Sequence, residues 1–111
     1  MMKEGVYNVV FESHDESFGE GILVVSHGTV NGGDIGFIYQ GKLQRPVMTL
    51  KVRQYQPDIL SVVGIEGEYT LEMRYEEEQE HKGHYCLSGT VIGMPEKKIT
   101  AYAFFLADVV R

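Results

Sequence analysis

This chain has very little cysteine, tryptophan, proline or positive charge, and each shortage excludes something. Cys86 is its one cysteine among 111 residues, so no internal disulfide can form and a reducing compartment is expected. No apolar run approaches the ~20 residues that a membrane-spanning helix needs, and the longest candidate, Ile99 to Val110, is too short. The opening Met1-Met2-Lys3-Glu4-Gly5 lacks the charged-then-apolar order of a signal peptide. The expected setting is soluble and cytoplasmic. Lys and Arg number 10 against 16 Asp and Glu, for a formal net charge of -6. That field repels polyanions, and the scattered basic residues form no stripe to neutralise phosphates. Direct nucleic-acid binding and docking on anionic lipid are both excluded on this ground.

Catalytic and metal signatures are as sparse. There is no Gly-x-Ser-x-Gly elbow, no Ser/His/Asp order and no pair of carboxylates placed to share a buried site. No cofactor is implied and no catalytic residue is assigned. Glu12 and Glu20 fall within strand-like segments and are candidates to point inward, where a carboxylate would aid ligand recognition. His81, His84 and Cys86 lie close together, with His84 and Cys86 sharing a strand face. A closed zinc site needs four ligands, however, and His14 and His27 fall on other turns. No metal site is expected, and Cys86 is read as a small core or wall residue. Asn31-Gly32-Gly33-Asp34 has the composition of a phosphate loop but does not lead into a helix. It is expected to be a turn at positive φ, capped by Asp34.

What the chain does have is alternation. Met48, Leu50 and Val52 alternate with Thr49, Lys51 and Arg53, and Tyr69, Leu71, Met73 and Tyr75 alternate with Thr70, Glu72, Arg74 and Glu76. Successive side chains of a strand point to opposite faces, so these segments bury one face and wet the other. The same logic predicts strands over Gly5–Glu12, Gly19–Ser26, a short one ending near Asn31, Phe37–Gln44, Val47–Tyr55, Glu68–Glu76, Gly83–Ile92 and Ile99–Ala107. His27-Gly28, Pro46 and Met94-Pro95-Glu96 are expected at turns. Pro57 to Gly64 does not alternate and has room for one short helical turn near 57–63.

Hydrophobic residues make up 43% of the chain and charged residues 23%, a globular balance at a length suited to one domain spanning 1–111. Eight short strands with open edges would aggregate, and closing them into an antiparallel barrel removes the edges. Gly19, Gly21, Gly36, Gly41 and Gly89, read as in-strand glycines, let such a sheet coil. The expected fold is therefore all-β, a closed eight-stranded antiparallel barrel. Tyr7, Phe11, Leu50, Val52, Tyr69 and Met73 are assigned to its interior, which either is filled or holds one small apolar ligand. Strands 1, 2 and 8 carry apolar residues on both faces. If strand 8 closes onto strand 1, Val6, Val10, Ile22, Val24, Ala101, Ala103 and Phe105 form an outer apolar patch suited to self-association. Glu76, Glu77, Glu78 and Glu80 form an acidic run: either a solvated hairpin tip or a docking surface for a basic partner.

Five segments occur in an order that resembles a known family: Gly5-x-Tyr7-x-Val9-x-Phe11, Gly19-Glu20-Gly21, Gly32-Gly33-Asp34, Tyr39-x-Gly41 and Ser61-Val62-Val63-Gly64. The series is similar to the GrlR family of bacterial type III secretion regulators. The resemblance implies a lipocalin-like barrel that forms a homodimer and sequesters a transcriptional activator, a basic DNA-binding protein, without touching DNA. In that family an acidic tetrad after the Tyr-x-Gly strand engages the activator. Here the matching stretch is Lys42-Leu43-Gln44-Arg45-Pro46, which holds no acid, so the acidic run at Glu76–Glu80 is the substitute candidate.

Overall fold

A computed structural model describes residues 2–13 and 18–110. Eight antiparallel strands form a closed barrel in sequential order: β1 (Gly5–Ser13), β2 (Phe18–Ser26), β3 (Thr29–Gly33), β4 (Phe37–Gln44), β5 (Val47–Gln54), β6 (Glu68–Glu77), β7 (His84–Val91) and β8 (Met94–Ala107). The ring shuts where β8 pairs with β1, placing Ala103 opposite Val9 and Ala101 opposite Phe11. No helix occurs among the described residues, so the helical turn allowed for at 57–63 does not form and that stretch is made of turns.

Alternation sets the core. Tyr7, Val9, Leu23, Met48, Leu50, Leu71, Met73 and Leu87 point inward and are at most 1% exposed. One end of the barrel is stoppered by the N-terminal residues. Met2 is buried, the Tyr7 hydroxyl donates to the Lys3 carbonyl (2.5 Å), and the Lys3 N–H donates to the Tyr85 hydroxyl (3.1 Å). Tyr7 packs edge-on against both Tyr85 and Phe105, with centroid separations of 5.8 and 5.7 Å.

Closing so small a ring demands close backbone approach. At Gly41 on β4, a Cβ would lie 1.8 Å from the Thr49 carbonyl oxygen of β5, and at Gly89 on β7 equally close to that of Glu72. Both positions face the interior, and the strands coil there so tightly that no side chain fits.

The structure revises three sequence-based boundaries and the direction of two carboxylates. Gly32 and Gly33 complete β3, and neither has positive φ; the turn runs instead from Asp34 to Phe37, closed by the Asp34 N–H donating to the Phe37 carbonyl. Gly36 lies in that turn, not in a strand. Met94, Pro95 and Glu96 open β8, the turn being Ile92-Gly93 with Gly93 at φ 86°. Glu12 and Glu20 face outward, since Phe11 and Ser13 take the inward positions on β1 and Glu20 pairs with outward Val10.

Candidate functional site

Two surfaces stand out: the open end of the barrel and the outer face around β1. The open end is roofed by the connection between β5 and β6. Ile59 descends onto Gly36, where a Cβ would sit 2.5 Å from the Ile59 Cβ, so glycine is required for the two segments to meet. Gln54 Nε2 donates to the Ile59 carbonyl (2.8 Å), and the Tyr55 N–H donates to the Gly36 carbonyl (2.9 Å). Ser61 Oγ donates to the Tyr69 hydroxyl (2.9 Å).

Beneath this roof is a cleft of about 360 Å³, within the usual range for small-molecule sites. Phe11, Phe37, Val52, Leu71 and Ile99 wall it from inside the barrel, and Phe18, Ile35 and Leu60 ring its mouth. The last three are 69%, 76% and 85% exposed, an unusual concentration of large apolar groups in water at one place. Asp34 sets the polar end. Its Oδ1 accepts from the N–H groups of Gly36 and Phe37, both at 2.8 Å, and its Oδ2 accepts from the Tyr39 hydroxyl. This is the capping role assigned to Asp34 by sequence, exercised one turn further along. Burial, and then the neighbouring Asp34, push the Tyr39 phenol far above its ordinary value. Burial likewise raises Tyr69, against the opposing hydrogen bond from Ser61.

The interior residues assigned from sequence divide between two regions. Phe11, Val52 and Tyr69 line the cleft, whereas Tyr7, Leu50 and Met73 belong to the packed part of the core. The exposed rim was not singled out from sequence. Its only trace there is that Ile35 and Leu60 are apolar residues within turn segments.

On the outer face, the strand register brings together Val24 and Ile22 of β2, Val6 and Val10 of β1, and Tyr102 and Phe104 of β8. Ala101 and Ala103 are fully buried and face inward, and Phe105 packs on Tyr7, so these three are not on this face. The reason is steric: opposite Phe11 and Val9, the interior takes small side chains and sends the aromatics Tyr102 and Phe104 outward. Two polar pairs interrupt the patch: Asn8 donates to Glu20 (3.1 Å) and the Tyr102 hydroxyl to Glu12 (3.5 Å).

The patch runs onto β7. There His84 packs edge-on against Phe104 at 4.9 Å and stacks on His81 at 5.1 Å. Cys86 lies in the outer wall beside Tyr102 and Glu76, not in the core. Burial first, then Glu78, Glu76 and Glu12, raise its thiol pKa, which disfavours the nucleophilic thiolate. The acidic run thus borders the apolar face. Glu77 is partly committed to structure, its carboxylate accepting the Gly83 N–H (3.0 Å). Glu76 and Glu80 are exposed and Glu78 is half-buried. Lys42 to Pro46, the basic stretch, forms the end of β4 and a tight turn into β5. His14 lies outside the described residues.

No curated protein matches the chain. A family model described as a T3SS negative regulator, GrlR, matches residues 2–85, which span β1 to β6 and the start of β7. That match covers well over half of the 111 residues: the chain belongs to the GrlR family of type III secretion negative regulators.

Proposed function

We propose that this chain is a cytoplasmic regulator that works by protein–protein contact, as a homodimer that sequesters a transcriptional activator. The observation that carries the reading is the outer apolar face of β2, β1 and β8, bordered by acidic residues. Apolar patches of this kind on small proteins usually mark interfaces, and a two-fold axis lets one patch serve both copies. Val6, Val10, Ile22 and Val24, with Tyr102 and Phe104, form the self-association surface. Glu76, Glu77, Glu78 and Glu80 offer the charge that steers a basic, DNA-binding partner into place.

Light scattering on eluting protein tests the first half. Wild type should run at twice its 12.5 kDa, while a Val10→Asp, Ile22→Asp variant runs at the monomer mass with an unchanged circular dichroism spectrum. Monomeric wild type at high concentration would refute the homodimer. A pull-down from bacterial lysate tests the second half, with wild type beside a variant carrying Glu76→Gln, Glu77→Gln, Glu78→Gln and Glu80→Gln. Capture of a basic DNA-binding regulator by wild type alone supports the acidic turn as the contact. Equal capture by both baits removes the turn from the mechanism.

A further inference from the structure

We propose that the outer face of β4, β5 and β6 docks an extended acidic segment of a partner protein, with one carboxylate of that segment on each of four successive rows of the sheet. The proposal does not depend on the regulatory reading above. In sequence the chain's 10 Lys and Arg are scattered, but folding gathers five of them here: Lys42, Arg45, Lys51, Arg53 and Arg74, all exposed. The pairing of β4 with β5 and of β5 with β6 sets them in order. Arg74 lies beside Val47, Lys42 beside Thr49, Lys51 on the next outward row and Arg53 on the one after, with Arg45 in the adjoining turn. Each row therefore holds one cation. Outward rows of a strand are about 6.7 Å apart, which is also the spacing of every second side chain in an extended peptide. A segment with acids at alternate positions matches that ladder step for step.

Glu68 and Glu72 are the carboxylates on the same stretch of sheet. Lys51 pairs with Glu68 at 3.0 Å, and the Arg53 guanidinium donates to the Gln40 side-chain carbonyl at 2.7 Å. Lys42, Arg45 and Arg74 have no ion pair among the described residues. Five cations against two carboxylates leave this face positive on a chain whose net charge is -6. A groove on the face is lined by Gln40, Lys42, Gln44, Thr49, Lys51 and Thr70, a donor-rich set without a carboxylate. Such a set attracts and orients carboxylates. Two observations favour an acidic peptide over a nucleic acid. No aromatic side chain points outward from β4, β5 or Glu68–Arg74 to stack on bases. The face also ends where the acidic run begins at Glu76, so a longer polyanion would run onto like charge. The chain's own acidic run does not fit the ladder, because it is folded into the end of β6 and the following turn, with Glu77 bonded to the Gly83 N–H.

Fluorescein-labelled heptapeptides test this with the full chain, read by anisotropy at about 30 mM salt, where surface charge is little screened. The peptide Glu-Thr-Glu-Thr-Glu-Thr-Glu should bind about tenfold more tightly than its Gln-for-Glu counterpart. It should also bind about threefold more tightly than Glu-Glu-Glu-Glu-Thr-Thr-Thr, which has the same charge without the spacing. Lys42→Glu with Arg74→Glu should weaken binding about tenfold. Lys82→Glu with Lys98→Glu reverses two exposed cations off this face. That pair changes the net charge by the same amount and should leave binding within a factor of about two. Both variants should keep native circular dichroism. Equal loss in the two variants would overturn the inference as a bulk-charge effect, as would equal affinity for the acidic and Gln peptides. Equal affinity for the alternating and block peptides would overturn the row-by-row match. A labelled oligothymidylate of matching charge that binds as tightly as the acidic peptide would give the face to nucleic acid. Loss of wild-type self-association in the Lys42→Glu, Arg74→Glu variant, read by light scattering, would give it to a second copy. Either result overturns the proposal.

Discussion

Replacing Gly41 by alanine tests the claim that backbone proximity closes this barrel. A Cβ there would lie 1.8 Å from the Thr49 carbonyl oxygen and 2.9 Å from the Leu50 Cα. Heavy atoms that are not hydrogen-bonded rarely approach within about 3 Å, so β4 and β5 must separate locally by more than an ångström. No flexible side chain can yield in their place, because both colliding atoms are backbone. Overpacking costs roughly 1–3 kcal/mol, and stretching one or two ladder hydrogen bonds adds about 0.5–1.5 kcal/mol each. The expected destabilisation is about 2–4 kcal/mol. For a chain of this size that lowers Tm by roughly 8–16 °C. Gly93→Ala is the control: its φ is 86° but a Cβ there meets nothing within 4 Å. It bears only the left-handed backbone cost of about 1–2 kcal/mol. Urea unfolding followed by far-ultraviolet circular dichroism measures both. A Gly41→Ala variant within 0.5 kcal/mol of wild type, or no worse than Gly93→Ala, would refute the reasoning.

Two further outcomes are expected. Asp34→Ala removes the acceptor for two N–H groups and the Tyr39 hydroxyl and should cost about 3 kcal/mol. Asp34→Asn, which keeps one carbonyl oxygen for the N–H pair, should cost about half as much in the same urea assay. The second concerns alkaline pH. Tyr7, Tyr39 and Tyr69 all have phenol pKa values raised chiefly by burial. The folded state then keeps protons that the unfolded chain releases near pH 10. The associated stability is complete below that pH and is lost as pH rises through and beyond it. Absorbance at 295 nm should show these three phenols ionising only together with alkaline unfolding. Full reversible ionisation of Tyr7, Tyr39 and Tyr69 below pH 11 in folded protein would contradict their burial.

Alternation along the chain was enough to define the strands, because burying one face of a pleated strand imposes a period of two whatever its neighbours. That is why Met48, Leu50 and Val52 were placed inward from sequence alone and are inward in the barrel. The resemblance carried by Tyr7, Val9, Phe11 and the glycine segments likewise led to the GrlR family. Where both faces of a strand are apolar, period two cannot choose between them. Strand β8 is the instance: only pairing with β1 turns Ala101 and Ala103 in and Tyr102 and Phe104 out. Likewise Glu12 and Glu20 took their direction from strand register, and Gly32-Gly33 became strand because β2 and β4 supply hydrogen-bonding partners on both sides. The cleft was the least legible feature. Its walls come from strands and turns far apart in sequence, from Phe11 to Ile99. Local pattern determined which residues are strands and which are wet; closure of the ring decided which faces, and which distant groups, meet.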